Sequence, residues 1–262
     1  MAEMTAWLQR WLPQYLLVFI RLSGMAITLP ILSYAAVLPR IRILFALLLA
    51  AIVLPMLPQT AMVSIQAVPQ LIYYIARELM IGLIIGFGAK LIFEGFTIAG
   101  EFAARQIGLA MANVFDPASE QQVPIISQFW TMLLMVYFLS FNGHHFLIRI
   151  MVQNFTTVPP GEGVFSSPLA QNIVLGGSRM FIIAVRLAIP VIALLMIVDA
   201  GLALVARVMP QMNVYFVALP LKLCVGMFAL ISSLNIFEML FQSIYSQLVN
   251  YLGSILYQLS GA

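Results

Sequence analysis

GEFAARQIGLAMANVFDPASEQQVP, residues 100–124, is the stretch whose reading decides the fold. It lies between two long apolar segments and is itself mixed. A charged helix end with Glu101 and Arg105 runs into a loop of small and apolar residues: Gly108, Leu109, Ala110, Met111, Ala112, Asn113, Val114 and Phe115. Asp116-Pro117 and the polar run at 119–122 close it. The residue before a proline is pushed out of the αR region, so Asp-Pro stops a helix. An apolar loop that leaves one helix and enters another would strand unpaired backbone groups in lipid. It must therefore be buried in protein or line a cavity.

The surroundings make that constraint sharp. Of 262 residues, 63% are hydrophobic and 8% charged, with a mean hydropathy of +1.06. A soluble domain has about 45–50% apolar and about 25% charged residues. The composition implies an all-α integral membrane protein. The 12 Lys and Arg, against 9 Asp and Glu, are scattered singly, which is not a nucleic-acid surface. Cys224 is the single cysteine and says nothing about compartment. The first apolar run follows MAEMTAWLQR, with one acid and one base, and reads as a retained signal anchor rather than a cleaved peptide.

Working outward, a first span is expected over 14–36, broken late by Pro30, and a second up to 54. A basic turn at Arg40 and Arg42 joins them. A loop over 59–70 precedes a long helix from 71 towards 101. In that helix Gly82 and Gly86 form a small-xxx-small face that lets another helix approach closely. Lys90, Glu94, Glu101 and Arg105, spaced by 4, 7 and 4, fall on one stripe. Both i,i+4 pairs can close. The stripe reads either as a self-neutralised face or as a lining or subunit contact. Beyond the loop, apolar helices are expected over 125–141, 144–155 and 173–198. A polar-tipped connection follows at 199–213, then a helix over 214–237 and an amphipathic helix over 238–259.

Arg21, Arg77, Glu78, Lys90, Glu94, Arg149, Arg186, Lys222 and Glu238 all sit inside or at the ends of apolar runs. A charge at the bilayer centre costs about 2.5–3.5 kcal/mol on the insertion scale. Groups placed like this call for protein or water partners, as in a subunit of a larger helical assembly. Catalytic signatures are missing: no Walker A loop, no GxGxxG after a strand, no HExxH and no paired CxxC. His144 and His145 are adjacent and point in different directions on a helix, so a turn-proximal polar pair is expected there rather than a metal site. Asp199 reads as a helix-end residue. No catalytic residue, metal or cofactor is assigned. A small-solute transporter would show inverted repeats, and the two halves show none.

The stretches LPILSYAAVLPRIRILFALLL (29–49), GEFAARQIGLAMANVFDP (100–117), SFNGHHFLI (140–148) and LPLKLCVGM (219–227) resemble the FliR family of flagellar type III export-gate subunits. They are spread over most of the chain. The FNGH tetrapeptide is closer to the flagellar branch than to the virulence injectisome branch, the alternative. The resemblance implies a FliP-like helical part (1–168, with a central plug loop at 106–124) followed by a FliQ-like helical hairpin (169–262). It implies a non-enzymatic pore subunit that assembles with FliP and FliQ and contacts FlhB and FlhA. Its place would be the basal body at the bacterial inner membrane, where unfolded flagellar subunits pass through. Residues 108–115 would plug the closed channel. At His145 the resemblance implies an apolar residue, so the second histidine departs from the pattern.

Overall fold

The computed structural model describes residues 2–34, 36–57, 67–108, 125–211 and 214–261. Every regular element among them is helical: α1 (Ala2–Thr28), α2 (Pro39–Val53) with a 3-10 turn (Leu54–Met56), α3 (Val68–Ile107), α4 (Ile125–Ser140), α5 (Gly143–Thr157), α6 (Ser167–Val208) and α7 (Val214–Leu259). This is the all-α membrane fold that the composition demands. Four helices are long and apolar enough to cross a membrane, and a fifth span arises if α4 and α5 count as one broken span.

Local chemistry sets several boundaries. α1 stops at Thr28, two residues ahead of Pro30 and earlier than the expected 36. Pro39 opens α2, where its missing N–H costs nothing and its fixed φ is already helical. α4 and α5 part at Asn142, whose φ of 57° is left-handed, a conformation asparagine tolerates. A Cβ added to Gly143 would sit 2.5 Å from the Phe138 ring, so glycine is the residue that fits beneath that ring.

Two further boundaries differ from expectation. The polar-tipped connection expected at 199–213 is mostly helix, because α6 runs on through Asp199 and Gly201 to Val208. No proline intervenes before Pro210, and the Asp199 carboxylate is paired, so its polarity does not end the helix. The segments expected at 214–237 and 238–259 are one helix of 46 residues. At 1.5 Å per residue, 40-residue α3 is about 60 Å long, twice the hydrocarbon thickness. The long helices therefore cannot lie wholly in lipid.

The chain forms two compact units. The first comprises Met1–Leu91, Phe138–Gly176 and Leu248–Ala262, and the second Ile92–Tyr137 and Gly177–Gln247. Each takes residues from both sides of 168, while α6 begins at Ser167, next to that point.

The first unit is built around Arg21, which has no solvent exposure. Its Nε donates to Glu78 Oε2 (2.5 Å), and its amino groups donate to Asn154 Oδ1 (3.0 Å), Val158 O (2.5 Å) and Pro159 O (3.3 Å). Glu78 Oε1 accepts from the Gly161 amide at 2.8 Å, and the guanidinium lies 4.6 Å from the Phe155 ring centre. Val158 and Pro159 follow the end of α5, where carbonyls lack intrahelical partners. Arg21 and Glu78 therefore ligate the backbone of the turn as well as each other. Arg77 Nε donates to Gly163 O at 2.9 Å, and the Val164 amide donates to Leu259 O at 2.8 Å. Phe155 stacks at this centre, and Leu17, Leu22, Met25, Ile81 and Ile85 of the same unit are likewise buried.

Gly82 and Gly86 face α1. A Cβ on Gly82 would collide with the Arg21 backbone oxygen, and one on Gly86 with the Thr28 hydroxyl. Here the small-residue face joins two helices of the same chain.

In detergent, Gly82→Leu and Gly86→Leu are expected to lower folded yield strongly, with Ile84→Leu near wild type. Overpacking costs about 1–3 kcal/mol even where neighbours can shift, and a backbone oxygen shifts least. Equal yields for all three would refute this. Glu78→Ala, which leaves a buried charge unpaired, is expected to destabilise by about 3–5 kcal/mol. The double change Arg21→Met/Glu78→Leu is expected to stay well below wild type in thermal unfolding, because Val158 O and the Gly161 amide lose their partners while Pro159 O keeps only the Glu162 amide. Wild-type stability of the double variant would show the turn does not need them.

Candidate functional site

The second unit positions the root of the central loop. α3 packs closely on α4: a Cβ on Gly100 would meet the Ser127 backbone, and Thr97 Oγ1 lies 3.3 Å from Thr131 Oγ1. Phe96 and Phe237 meet edge to face at 5.3 Å between ring centres, fixing α3 against α7. Ile183, Leu187, Ala103 and Ile107 are buried in the same core. α3 ends at Ile107, and Gly108 follows with φ 95°, the left-handed conformation glycine adopts at a helix end. Its amide is held by Ala104 O at 3.2 Å and Arg105 O at 3.1 Å.

Beside Gly108 three polar side chains from three helices converge. Lys222 Nζ of α7 is 2.5 Å from Asp199 Oδ1 of α6, with side-chain exposures of 23% and 39%. Gln106 Nε2 of α3 donates to Asp199 Oδ2 at 3.2 Å. Both carboxylate oxygens are thus engaged, one by each neighbouring helix. A cavity of about 400 Å³ opens here, lined by Gly108, Leu202, Ala206, Val214, Leu219 and the ion pair. The arrangement binds three helices at the point where the loop departs. Its chemistry is that of a fastening, with no nucleophile or acid–base pair aimed at a common point among the described residues.

Of the plug residues named from the sequence, Gly108 stands at this root, while Leu109, Ala110, Met111, Ala112, Asn113, Val114 and Phe115 lie outside the described residues. In the charged stripe Lys90 is exposed and Glu94 half-buried. Arg105 NH2 pairs with Glu101 Oε2 at 3.1 Å, with exposures of 66% and 32%, which makes it a surface pair of small worth. Gly82 and Gly86 belong to the first unit and face α1. Sequence reasoning missed Gln106 and the Asp199–Lys222 pairing. The available signal was two opposite charges in successive apolar segments. The histidines also differ from expectation: the rings of His144 and His145 do not diverge but stand 4.2 Å apart at 36°. Among the described residues no three His, Cys, Asp or Glu side chains group as a metal site.

A double-mutant cycle on Asp199→Asn and Lys222→Gln is expected to return a coupling of about 1 kcal/mol, the upper end for partly exposed pairs. Thermal unfolding of the four proteins measures it, and a coupling of zero would make the pair incidental.

Comparison with known proteins places this geometry in a lineage. The family described as bacterial export proteins, family 1, matches residues 12–248. Flagellar biosynthetic protein FliR of Escherichia coli (strain K12) is 29% identical over 253 residues, covering 97% of this chain and 96% of that protein. The FliR of Bacillus subtilis (strain 168) is 32% identical over 251 residues, with 93% and 95% covered. That of Caulobacter vibrioides is 31% identical over 234 residues, with 89% and 93% covered.

Proposed function

This chain belongs to the bacterial export proteins of family 1, and from that premise we propose that it is a structural pore subunit of the flagellar type III export gate. The observation that carries the proposal is the match to flagellar relatives along nearly the whole chain. Those relatives favour the flagellar over the injectisome branch. In this reading the chain is a component of the flagellar export apparatus with a structural rather than catalytic role. It sits at the bacterial inner membrane in the basal body, assembles with FliP and FliQ, and contacts FlhB and FlhA. Residues 1–168 would be the FliP-like part and 169–262 the FliQ-like hairpin. Consistent with a hairpin, α6 pairs with α7 within each unit, Asn172 with Ser254 in the first and Asp199 with Lys222 in the second.

The closed state would be kept by residues 108–115. An apolar constriction stops ions by dewetting, without charge or chemistry. Small residues (Gly108, Ala110, Ala112) let the loop fold tightly, and Met111 and Phe115 give it bulk. Unfolded flagellar subunits would displace it on passage. Lys90, Glu94, Glu101 and Arg105 would then serve as a lining or subunit contact.

Deleting residues 109–114 is expected to leave complex yield near wild type and raise the ion and small-solute permeability of the resting gate. Phe115→Ala should leak less, because the remaining loop still fills part of the lumen. Lost yield without leakage would make the loop a packing element, and an unchanged seal would remove the plug from the mechanism.

A further inference from the structure

We propose that the outward side of α6 around Arg186 is the seat of an apolar helix of a companion subunit, and that this helix carries a carboxylate that pairs with the Arg186 guanidinium. The inference deepens the reading of the chain as a subunit of an assembly and rests on it. It concerns the second unit alone. There α6 is two-sided: Ile183, Leu187 and Val191 are buried, while Ile182, Val185, Arg186 and Ile189 face outwards. Among the described residues Arg186 forms no ion pair or hydrogen bond. Elsewhere the chain answers such charges across its own helices, Arg21 with Glu78 and Asp199 with Lys222. Arg186 is left to be answered from outside.

The surroundings select the occupant. Acyl chains satisfy the isoleucines and the valine but leave the cation unanswered, which is costly in hydrocarbon. Water answers the cation and leaves its apolar neighbours wet. A lipid phosphate has the right charge but sits among the headgroups. Arg186 lies midway along the apolar run 173–198, and at 1.5 Å per residue at least about 18 Å of helix separates it from either end. That exceeds half the hydrocarbon thickness of about 30 Å. An apolar helix with an acid midway meets both requirements. It packs on Ile182, Val185 and Ile189 and sets its carboxylate on the planar fork of the guanidinium.

The chain also carries the complementary half of such a contact. A Cβ on Gly95 of α3 would meet the Met180 backbone and Ile183 of α6, and Phe96 meets Phe237 of α7. Further along α3, Gln106 bonds Asp199 of α6, and a Cβ on Gly108 would meet Leu219 of α7. In this unit α6 and α7 therefore run in opposite directions along α3, and Arg186 and Glu238 stand within about one helical turn of the same height. Glu238 is exposed as well and forms no ion pair among the described residues. Opposite charges at one height, unpaired with each other, suit helices associating side by side and head to tail. A neighbour built on this pattern brings its acid level with Arg186.

The test uses the assembled complex, purified in detergent, with p-benzoylphenylalanine replacing Ile189. Photocrosslinking and peptide mass spectrometry should place the adduct on a companion-subunit helix, within a turn or two of an Asp or Glu. An adduct on lipid or detergent, on a second copy of this chain, or on a segment without an acid overturns the proposal. Arg186→Glu should lower the yield of complex roughly tenfold or more, and reversing the captured acid to arginine should restore it. Because Arg186 is exposed in the chain by itself, the folded yield of the isolated Arg186→Glu chain should equal wild type. Unchanged complex yield, failed restoration, or an equal loss in the isolated chain overturns the pairing. A purified complex with no other subunit refutes the assembly reading and the seat together, whereas lipid captured within an intact multi-subunit complex refutes the seat alone.

Discussion

A guanidinium with no access to water, set among apolar helices, is the constraint on which the first unit depends. Taking a charge out of water costs several kcal/mol per ion unless partners replace the lost hydration. Arg21 finds them in one carboxylate, one amide and two main-chain carbonyls. The carbonyls matter as much as the carboxylate. The chain leaving α5 through Val158 would otherwise place an unpaired backbone acceptor in an apolar interior. Arg21 satisfies it, Glu78 neutralises Arg21, and the second oxygen of Glu78 takes the Gly161 amide. The ion pair and the turn are thus each a condition for the other. Neither is intelligible as a contribution counted alone.

The glycines complete that logic. For Arg21 on α1 to reach Glu78 on α3, the two helices must approach more closely than ordinary side chains permit, and Gly82 and Gly86 remove the Cβ atoms that would obstruct them. This much was legible in the residue pattern: the charges within apolar runs, the small-xxx-small spacing, and the breaker at Asn142-Gly143. Those signals are local, and local chemistry governs them. The pattern did not reveal that Asp199 lies in mid-helix. A carboxylate before Ala-Gly reads as a helix end, and only the approach of Gln106 and Lys222 from other helices satisfies it in place. The continuity of α7 escaped notice for a related reason. Glu238 marks a change from apolar to amphipathic sequence, and such a change alters what a helix faces without ending it. The histidine pair shows the same limit, since adjacent residues on an ideal helix diverge, whereas these two rings stand 4.2 Å apart.

The helices are unequally covered by the chain itself. The most apolar window of α3 is 56% buried, against 33% for α6 and 22% for α7. α3 is therefore largely served by the chain's own helices, whereas the other two present most of their apolar surface outwards. Lipid alone would satisfy leucines and phenylalanines there. It would not satisfy Arg186 and Glu238, which are exposed on those same helices and would each cost about 2.5–3.5 kcal/mol at the bilayer centre. Helices of 42 and 46 residues also outrun the roughly 20 needed to cross a bilayer. Length, exposed charge and sparse internal cover together require protein or water along much of α6 and α7. The proposed place of the chain as a subunit within a larger helical assembly is consistent with that requirement.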